Sequence, residues 1–234
     1  MKYLILPAVF LTAFSTGFGG GFVRRSQPSR PKVVVKRAGG EREAVEKTEK
    51  LIGEIIPASF PELEGAKIKV KLFKSKSNYF KSRFSTFRFL TFREMRYLIY
   101  VNPAVFEKNA PEEGIRAILA HELSHVLYYR RKNRLELIGL IGLTDRSFTA
   151  KFERKTDLEA IKRGYGAGLK QYRRWLYDNV PAKDLEGKKR DYFSPEEIDL
   201  ILEIAGKKPE IFEVWKRDTP RNVGELRKIS ESIK

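Results

Sequence analysis

A short stretch near the middle of the chain, AILAHELSHVLYY, holds both of its histidines and most constrains its fold. Apolar residues recur there at three- and four-residue steps, which predicts a helix over residues 112–130. Its apolar face consists of Leu119, Leu123, Val126 and Leu127. Because residues four apart lie one turn apart on the same side of a helix, His121 and His125 point in one direction. The helix can therefore pack one face on a core and carry both histidines on another.

The segments before this helix predict a further helix and a few strands. Residues 41–56 repeat apolar side chains with helical spacing, and Pro57 and Pro61 are expected to end that helix. Residues 66–73 alternate apolar and basic side chains, as a half-exposed strand does. Residues 84–101 are predicted to be a second extended region, with RYLIYVNP as its last strand.

The segments after the histidine helix are predicted to be mostly helical. Helical spacing recurs over residues 149–163, 169–177 and 211–215. Another helix is expected to begin at Ser194, because Glu197 three residues later completes the pattern of a capping box. This order predicts an α+β fold class, with a small mixed sheet beside the histidine helix and a mostly helical C-terminal part.

Charge limits the kinds of partner. The chain has 47 Lys and Arg against 30 Asp and Glu, a net charge of +17, which favours anionic partners or is simply a solvated basic surface. In FKSRFSTFRFLTFREMRY, residues 80–97, phenylalanines are interleaved with basic residues. Such a segment can stack bases or lie on a membrane surface. We expect a pair of strands instead, with Phe87 and Phe89 on one face and Arg88 on the other.

The N-terminal part is expected to lie outside the folded domain. Residues 1–23 have one lysine and then an uncharged apolar run, which is typical of a signal peptide or a membrane anchor. Arg24 and Arg25 follow directly. If residues 1–23 are an anchor, these arginines favour a cytoplasmic location for the rest of the chain. The domain is thus expected either to be exported, for example to a periplasm, or to be anchored in a membrane. In the anchored case it can also face the cytoplasm. Residues 24–40 predict a basic flexible linker.

The histidine pair indicates a metal site. Imidazoles one helical turn apart can share one Zn²⁺, and Glu122, rotated by about 100°, can address a water on the metal without being a ligand. The alternative is two helix-surface histidines without a metal. A catalytic zinc takes three protein ligands and keeps one position open. Because the chain has no cysteine and no third histidine, the third ligand must be an aspartate or a glutamate.

The stretch KFERKTDLEAIKRGYGAG supplies suitable carboxylates. Glu153 and Asp157 are four residues apart and share one face of a predicted helix. Glu153 can be the third ligand, while Asp157 can accept the second ring N–H of a ligating histidine and fix its tautomer. Asp157, Glu159 and Glu136 are the alternative third ligands. Two carboxylates at this spacing are also common on a solvated helix face.

HELSH followed by ERKTD resembles the gluzincin metallopeptidases, over residues 97–168. In that group the third zinc ligand is a glutamate on a downstream helix and an aspartate four residues later orients a histidine, which implies these roles for Glu153 and Asp157. Thr156 stands at the small position of the pattern, as in thermolysin-like and CAAX-prenyl-protease-like enzymes. Glu153 follows His125 by 28 residues, more than in the thermolysin arrangement, and no subfamily is identified.

The resemblance implies a zincin-like metallopeptidase domain over residues 41–234. In such a domain RYLIYVNP is an edge strand beside the active-site helix and holds the backbone of the substrate. The activity implied is that of a zinc-dependent metalloendopeptidase on a peptide or protein substrate, with Glu122 taking a proton from the attacking water. The group usually also supplies a His, Tyr or Arg to the transition-state oxyanion. Tyr165 is the candidate here, with Tyr172 and Arg163 as alternatives.

The rival hypothesis is a basic protein that binds nucleic acid or an anionic membrane surface and carries a structural or inactive zinc site. Salt-dependent retention of nucleic acid without stoichiometric zinc would favour it. The apolar residues 1–23 argue against a nucleic-acid partner, because they direct the chain toward a membrane.

Overall fold

The computed structural model describes residues 35–141 and 146–231 of the protein, and the side chains of residues 39–137 and 148–231. The predictions for residues 1–23 and 24–34 lie outside these ranges. The strands are β1 (Ile68–Leu72), β2 (Phe80–Phe84) and β3 (Tyr97–Val101). The helices are α1 (Val35–Ser59), α2 (Thr86–Leu90), α3 (Ala104–Glu107), α4 (Glu112–Arg131), α5 (Arg134–Ile141), α6 (Arg146–Ala160), α7 (Gly166–Asn179), α8 (Ala182–Asp191), α9 (Pro195–Lys207), α10 (Ile211–Arg217) and α11 (Val223–Glu231).

The fold class is α+β and mostly helical, as predicted. The histidine helix is α4, and its predicted apolar face is buried. The capping box at the start of α9 is also confirmed. Ser194 Oγ accepts a hydrogen bond from the Glu197 backbone N–H, while Glu197 accepts one from the Ser194 backbone N–H. Among the described residues, no helix is both long enough and apolar enough to cross a membrane.

A mixed three-stranded sheet packs on α1 and α4. The strand order is β1-β3-β2, with β1 parallel and β2 antiparallel to β3. The expectation that RYLIYVNP forms an edge strand is therefore wrong, because β3 is paired on both sides. The edge strand that packs against α4 is β2 instead. Strand pairing is not encoded in the local pattern of β3, and the sequence could not reveal it.

Residues 84–101 differ from the predicted extended region. Strand β2 ends at Phe84, and the chain makes the short helix α2 before β3 begins. The Ser85 backbone N–H donates to the Arg96 carbonyl at 2.8 Å, which closes residues 86–95 into an excursion from the β2–β3 pair. Phe89 is buried whereas Phe87 is exposed, so the phenylalanines do not share a strand face.

Helix α1 is longer at both ends than predicted. It begins at Val35, so residues 35–40 of the predicted flexible linker are helical. It also passes Pro57 and ends at Ser59. A proline near the end of a helix removes one backbone donor, and burial of the following side chains can offset that loss. Phe60 is fully buried, and its backbone N–H donates to the Ile56 carbonyl at 2.8 Å, which continues the turn.

Helices α4 and α7 cross at a close approach that positions the histidines. A Cβ on Gly168 would lie 2.3 Å from the Glu113 carbonyl oxygen, and one on Gly114 would lie 3.2 Å from the Tyr172 backbone. Only glycine fits at Gly168 without moving the backbone of α4. This contact seats α7 against the N-terminal half of α4. It thereby brings the later residues of α7 beside the helix that carries His121.

Two apolar clusters fill the structure on either side of α4. One joins α1, the sheet, α4 and α7, and the other joins α6, α7 and the helices α9 to α11. Helix α4 is consequently buried over most of its length, including both histidines and Glu122. Burying these polar groups costs free energy unless they find partners.

Candidate metal centre

Three side chains from α4 and α6 converge on one point. His121 Nε2 and His125 Nε2 are 3.2 Å apart, and each lies 3.1 Å from Glu153 Oε2. They form a nearly equilateral triangle of potential ligand atoms, and both histidines are buried. Such a group can hold a metal ion. The helical spacing of the histidines and the packing of α6 on α4 together create this geometry.

Asp157 contacts the ring nitrogen of His121 that does not face Glu153. His121 Nδ1 lies 2.8 Å from Asp157 Oδ1, and both side chains are buried. An ionised carboxylate can only accept, so in the neutral imidazole the ring proton sits on Nδ1 and Nε2 is free for a metal. Asp157 Oδ1 also accepts from Arg173 Nη2 at 2.8 Å, and Oδ2 accepts from the Phe193 backbone N–H at 3.1 Å. Asp157 thus ties α4, α6, α7 and the segment before α9 together.

His125 has a weaker partner of the same kind. Its Nδ1 lies 3.4 Å from Thr156 Oγ1, whose hydroxyl donates to the Phe152 carbonyl at 2.9 Å. With its proton committed to that carbonyl, the threonine oxygen can accept from His125 Nδ1. The ring of His125 also packs against Phe152, with centroids 4.9 Å apart. The Nε2 atoms of both histidines therefore face Glu153.

The ionisable side chains of the cluster shift one another's pKa values. Burial opposes protonation of His121, but its hydrogen bonds to Asp157 and Glu153 outweigh burial and raise its pKa to about 9. Burial alone would raise the pKa of Glu153, yet the charges of His125 and His121 and their hydrogen bonds lower it well below its usual range. The cluster is thus built around an ionised Glu153 that attracts positive charge.

Glu122 lies beside the triangle but outside it. It is buried, and burial raises its pKa. Its Oε2 has no hydrogen-bond partner among the described residues. The Ser82 hydroxyl lies near enough to lower this pKa slightly, but it too makes no hydrogen bond within that part of the chain. An unpaired buried carboxylate oxygen is costly, and such groups are typical of functional sites.

A cleft opens next to His121 and Glu122. The other residues that line it are Ser77, Asn78, Tyr79, Phe80, Ile118, Tyr172, Arg173, Leu176, Lys188 and Tyr192. Phe80 at the start of the edge strand β2 lines it, and so do the cations Arg173 and Lys188. Lys188 Nζ donates to Asn78 Oδ1 at 2.7 Å across the cleft.

Tyr192 is a cleft residue that the sequence did not indicate. Its ring lies 5.9 Å from the His121 ring and is covered by the Arg173 guanidinium at 4.4 Å. Burial and the charge of Glu153 raise its pKa well above the usual range, so its hydroxyl stays protonated. It follows Asp157 by 35 residues and no spacing rule links them. The link is the Phe193 backbone N–H, which donates to Asp157.

The structure does not bring Tyr165 to the metal cluster. Its hydroxyl donates to Ser59 Oγ at 3.0 Å, at the end of α1, and it is not among the residues that line the cleft. Of the alternatives, Arg163 pairs with Glu62 and Glu159 and also lies away from the cleft. Tyr172 does line the cleft and is almost fully buried.

The alternative third ligands also lie elsewhere. Glu159 pairs with Arg163 at 2.7 Å and Lys216 at 2.5 Å. Glu136 pairs with Lys132 at 2.7 Å at the exposed start of α5. Asp157 contacts the far ring nitrogen of His121 instead of joining the triangle. Glu153 is therefore the carboxylate that the fold places with both histidines.

Comparison of the chain with protein-family models, curated proteins and solved structures found no match.

Proposed function

We propose that the protein is a zinc-dependent metallopeptidase with a zincin-like domain of the gluzincin kind. The observation that carries this proposal is the triangle of His121 Nε2, His125 Nε2 and Glu153 Oε2, with edges of 3.1–3.2 Å. Ligands about 2.0–2.1 Å from a zinc ion at tetrahedral angles stand about 3.3 Å apart. Three protein ligands leave the fourth position open, as in catalytic zinc sites.

Glu122 is the proposed general base. Zinc, when bound, polarises the scissile carbonyl and lowers the pKa of a coordinated water to about 7. The unpaired Oε2 of Glu122 can accept the proton of the attacking water and later give it to the leaving amine. The raised pKa of this carboxyl suits both steps, because a group that first accepts and then donates a proton works best when its pKa lies near the pH of the reaction.

Tyr192 is the proposed donor to the transition-state oxyanion, in place of Tyr165. Tyr192 lines the cleft beside His121 and keeps its hydroxyl protonated, whereas the hydroxyl of Tyr165 is bound to Ser59. The guanidinium of Arg173 lies over the Tyr192 ring and limits its movement. A preorganised donor of this kind stabilises developing charge without reorganisation.

The edge strand β2 is the proposed site for the substrate backbone. It pairs with β3 on one side and packs on α4, and Phe80 at its start lines the cleft. An extended peptide can add to an exposed strand edge through main-chain hydrogen bonds. Lys188 is a cation that lines the cleft, which favours peptides with acidic side chains or a nearby carboxylate.

Metal analysis combined with a cleavage assay tests the proposal. We expect one zinc per chain, cleavage of casein or a peptide library, loss of cleavage with a chelator and recovery on adding zinc. The same preparation is passed over immobilised nucleic acid at rising salt. A chain without stoichiometric zinc and without cleavage, but with salt-dependent retention, would replace the proposal with the nucleic-acid-binding alternative.

A further inference from the structure

An exposed apolar surface lies on the excursion between β2 and β3, here called the phenylalanine loop (residues 86–95). Phe87, Leu90 and Phe92 are 65%, 67% and 82% exposed. Phe89 is instead buried and packs on Phe84, which fixes the loop to the sheet. Large apolar side chains grouped this way on a surface mark an interaction site more often than scattered ones do.

The loop is held in place by α5. Arg134 donates to the Arg93 carbonyl at 2.7 Å and also to the Phe89 carbonyl. Its guanidinium lies 5.0 Å from the Phe92 ring, and the next residue, Leu135, is 80% exposed. Phe92 has a φ of +54°, which a bulky side chain rarely adopts. The exposed rings are therefore presented by a braced and locally strained backbone.

The surroundings of the loop are basic. Arg83, Arg88, Arg93 and Arg96 lie in or beside it. Its single acidic residue, Glu94, is paired with Lys67 at 2.5 Å. The Arg93 guanidinium lies 5.7 Å from the Phe87 ring, so cations and apolar side chains alternate on the same surface. Phenylalanine and leucine flanked by arginine are the composition of a segment that lies in an anionic membrane interface.

We propose that the phenylalanine loop and Leu135 form a docking surface for an anionic lipid bilayer. Phe87, Leu90 and Phe92 enter the acyl boundary, while the arginines contact the headgroups. Nucleic acid suits the surface less well, because leucines offer no aromatic face for base stacking. The docking surface contains none of the residues of the metal cluster.

A series of aromatic contacts connects the phenylalanine loop with the metal cluster. Phe84 contacts both Phe89 and Tyr129, with ring centroids 5.4 Å apart in each pair, and Tyr129 lies 6.3 Å from the His125 ring. Docking through the loop would therefore hold the metal cluster close to the bilayer surface.

A fluorescent probe on the full chain tests the proposal. Because the chain has no cysteine, Thr91→Cys can carry a single environment-sensitive dye in the loop. Gly206→Cys provides the control position, since it is exposed on α9 and a Cβ there meets nothing within 4 Å. Each dye reports only its own surroundings, so attachment through residues 1–23 does not produce a signal at Thr91.

Vesicles of phosphatidylcholine with phosphatidylglycerol are expected to shift the Thr91 probe to the blue, and added salt to weaken the shift. Pure phosphatidylcholine vesicles should act much more weakly, and the Gly206 probe should not respond. Adding Phe87→Ser and Phe92→Ser should weaken the response at least about tenfold. Their exposure predicts an unchanged unfolding midpoint. Val223→Ser, which removes an exposed apolar side chain on α11, is the matched control and should have no effect.

Three results would overturn the proposal. One is a Thr91 probe that stays in water at saturating anionic lipid. Another is a response to single-stranded nucleic acid that exceeds the response to vesicles. The third is a blue shift without lipid that grows with protein concentration, which would assign the surface to a second copy of the chain.

Discussion

Replacing Asp157 with asparagine tests how the metal centre is held together. Asp157 is fully buried and accepts hydrogen bonds from His121, Arg173 and the Phe193 backbone N–H. Asparagine has nearly the same shape but no charge. Its amide NH₂ must face either the Phe193 N–H or the two donors on the other side, so at least one donor meets another donor.

Two costs of different kinds follow from this substitution. Arg173 is 1% exposed, and Asp157 is its ion-pair partner among the described residues. Removing one member of a buried pair costs about 3–5 kcal/mol. Losing the carboxylate that orients His121 is expected to weaken metal binding about 10–100-fold. Since small proteins have about 5–15 kcal/mol of stability, the variant should remain folded but be clearly weakened.

Urea unfolding with a chelator present measures the first cost, and competition with a zinc-binding dye measures the second. The control is Asp199→Asn, which removes an exposed carboxylate that pairs with Lys170 at 2.6 Å. It should change the free energy of unfolding by at most about 1 kcal/mol and leave zinc affinity unchanged. If Asp157→Asn behaved like this control in both assays, the role given to Asp157 would be refuted.

Three further predictions follow from the site and its surroundings. Glu153→Ala should lose zinc, whereas Glu136→Ala, which removes one member of an exposed ion pair, should keep it. Elemental analysis measures the zinc content of both variants, and equal zinc in the two would remove Glu153 from the ligand set. Tyr192→Phe should keep zinc and lower kcat about 100-fold, and Tyr165→Phe should leave kcat unchanged; the reverse would restore the sequence-based assignment. The hydrogen bond from Arg163 lowers the pKa of Glu62 to about 2. The stabilisation that this pair gives to the fold is therefore present above about pH 4 and is lost as the pH falls toward 2. Glu62→Gln should thus be less stable than the unsubstituted chain at neutral pH, and urea unfolding should show this gap closing in acid; a gap that persists at pH 2 would contradict the assignment.

The three side chains of the candidate metal centre are predictable from the sequence because helical geometry fixes which residues share a face. His121 and His125 are four apart, and so are Glu153 and Asp157. The scarcity of histidine and the lack of cysteine restricted the third ligand to a carboxylate. Both pairs depend only on the local geometry of a helix and not on how distant parts of the chain pack.

The remainder of the site depends on such packing and was missed. Tyr192 and Arg173 reach the cleft through the close crossing of α4 with α7 and through the hydrogen bond from Phe193 to Asp157. The edge strand was misassigned because the order β1-β3-β2 is a property of pairing between strands. The sequence predicts an extended phenylalanine loop, since Phe87 and Phe89 fit an alternating pattern. In the structure Phe89 is buried and Phe87 is exposed, which that pattern does not foresee.

Glu122→Gln compared with the unsubstituted chain at equal zinc content tests the central claim most directly. Glu122 lies outside the triangle of ligand atoms, so the substitution should leave one zinc per chain. It removes the carboxylate that takes a proton from the attacking water, and the rate of peptide cleavage should fall by at least about 100-fold. Cleavage at the unsubstituted rate by the zinc-loaded variant would contradict the assignment of Glu122 as the base and, with it, the proposed reaction.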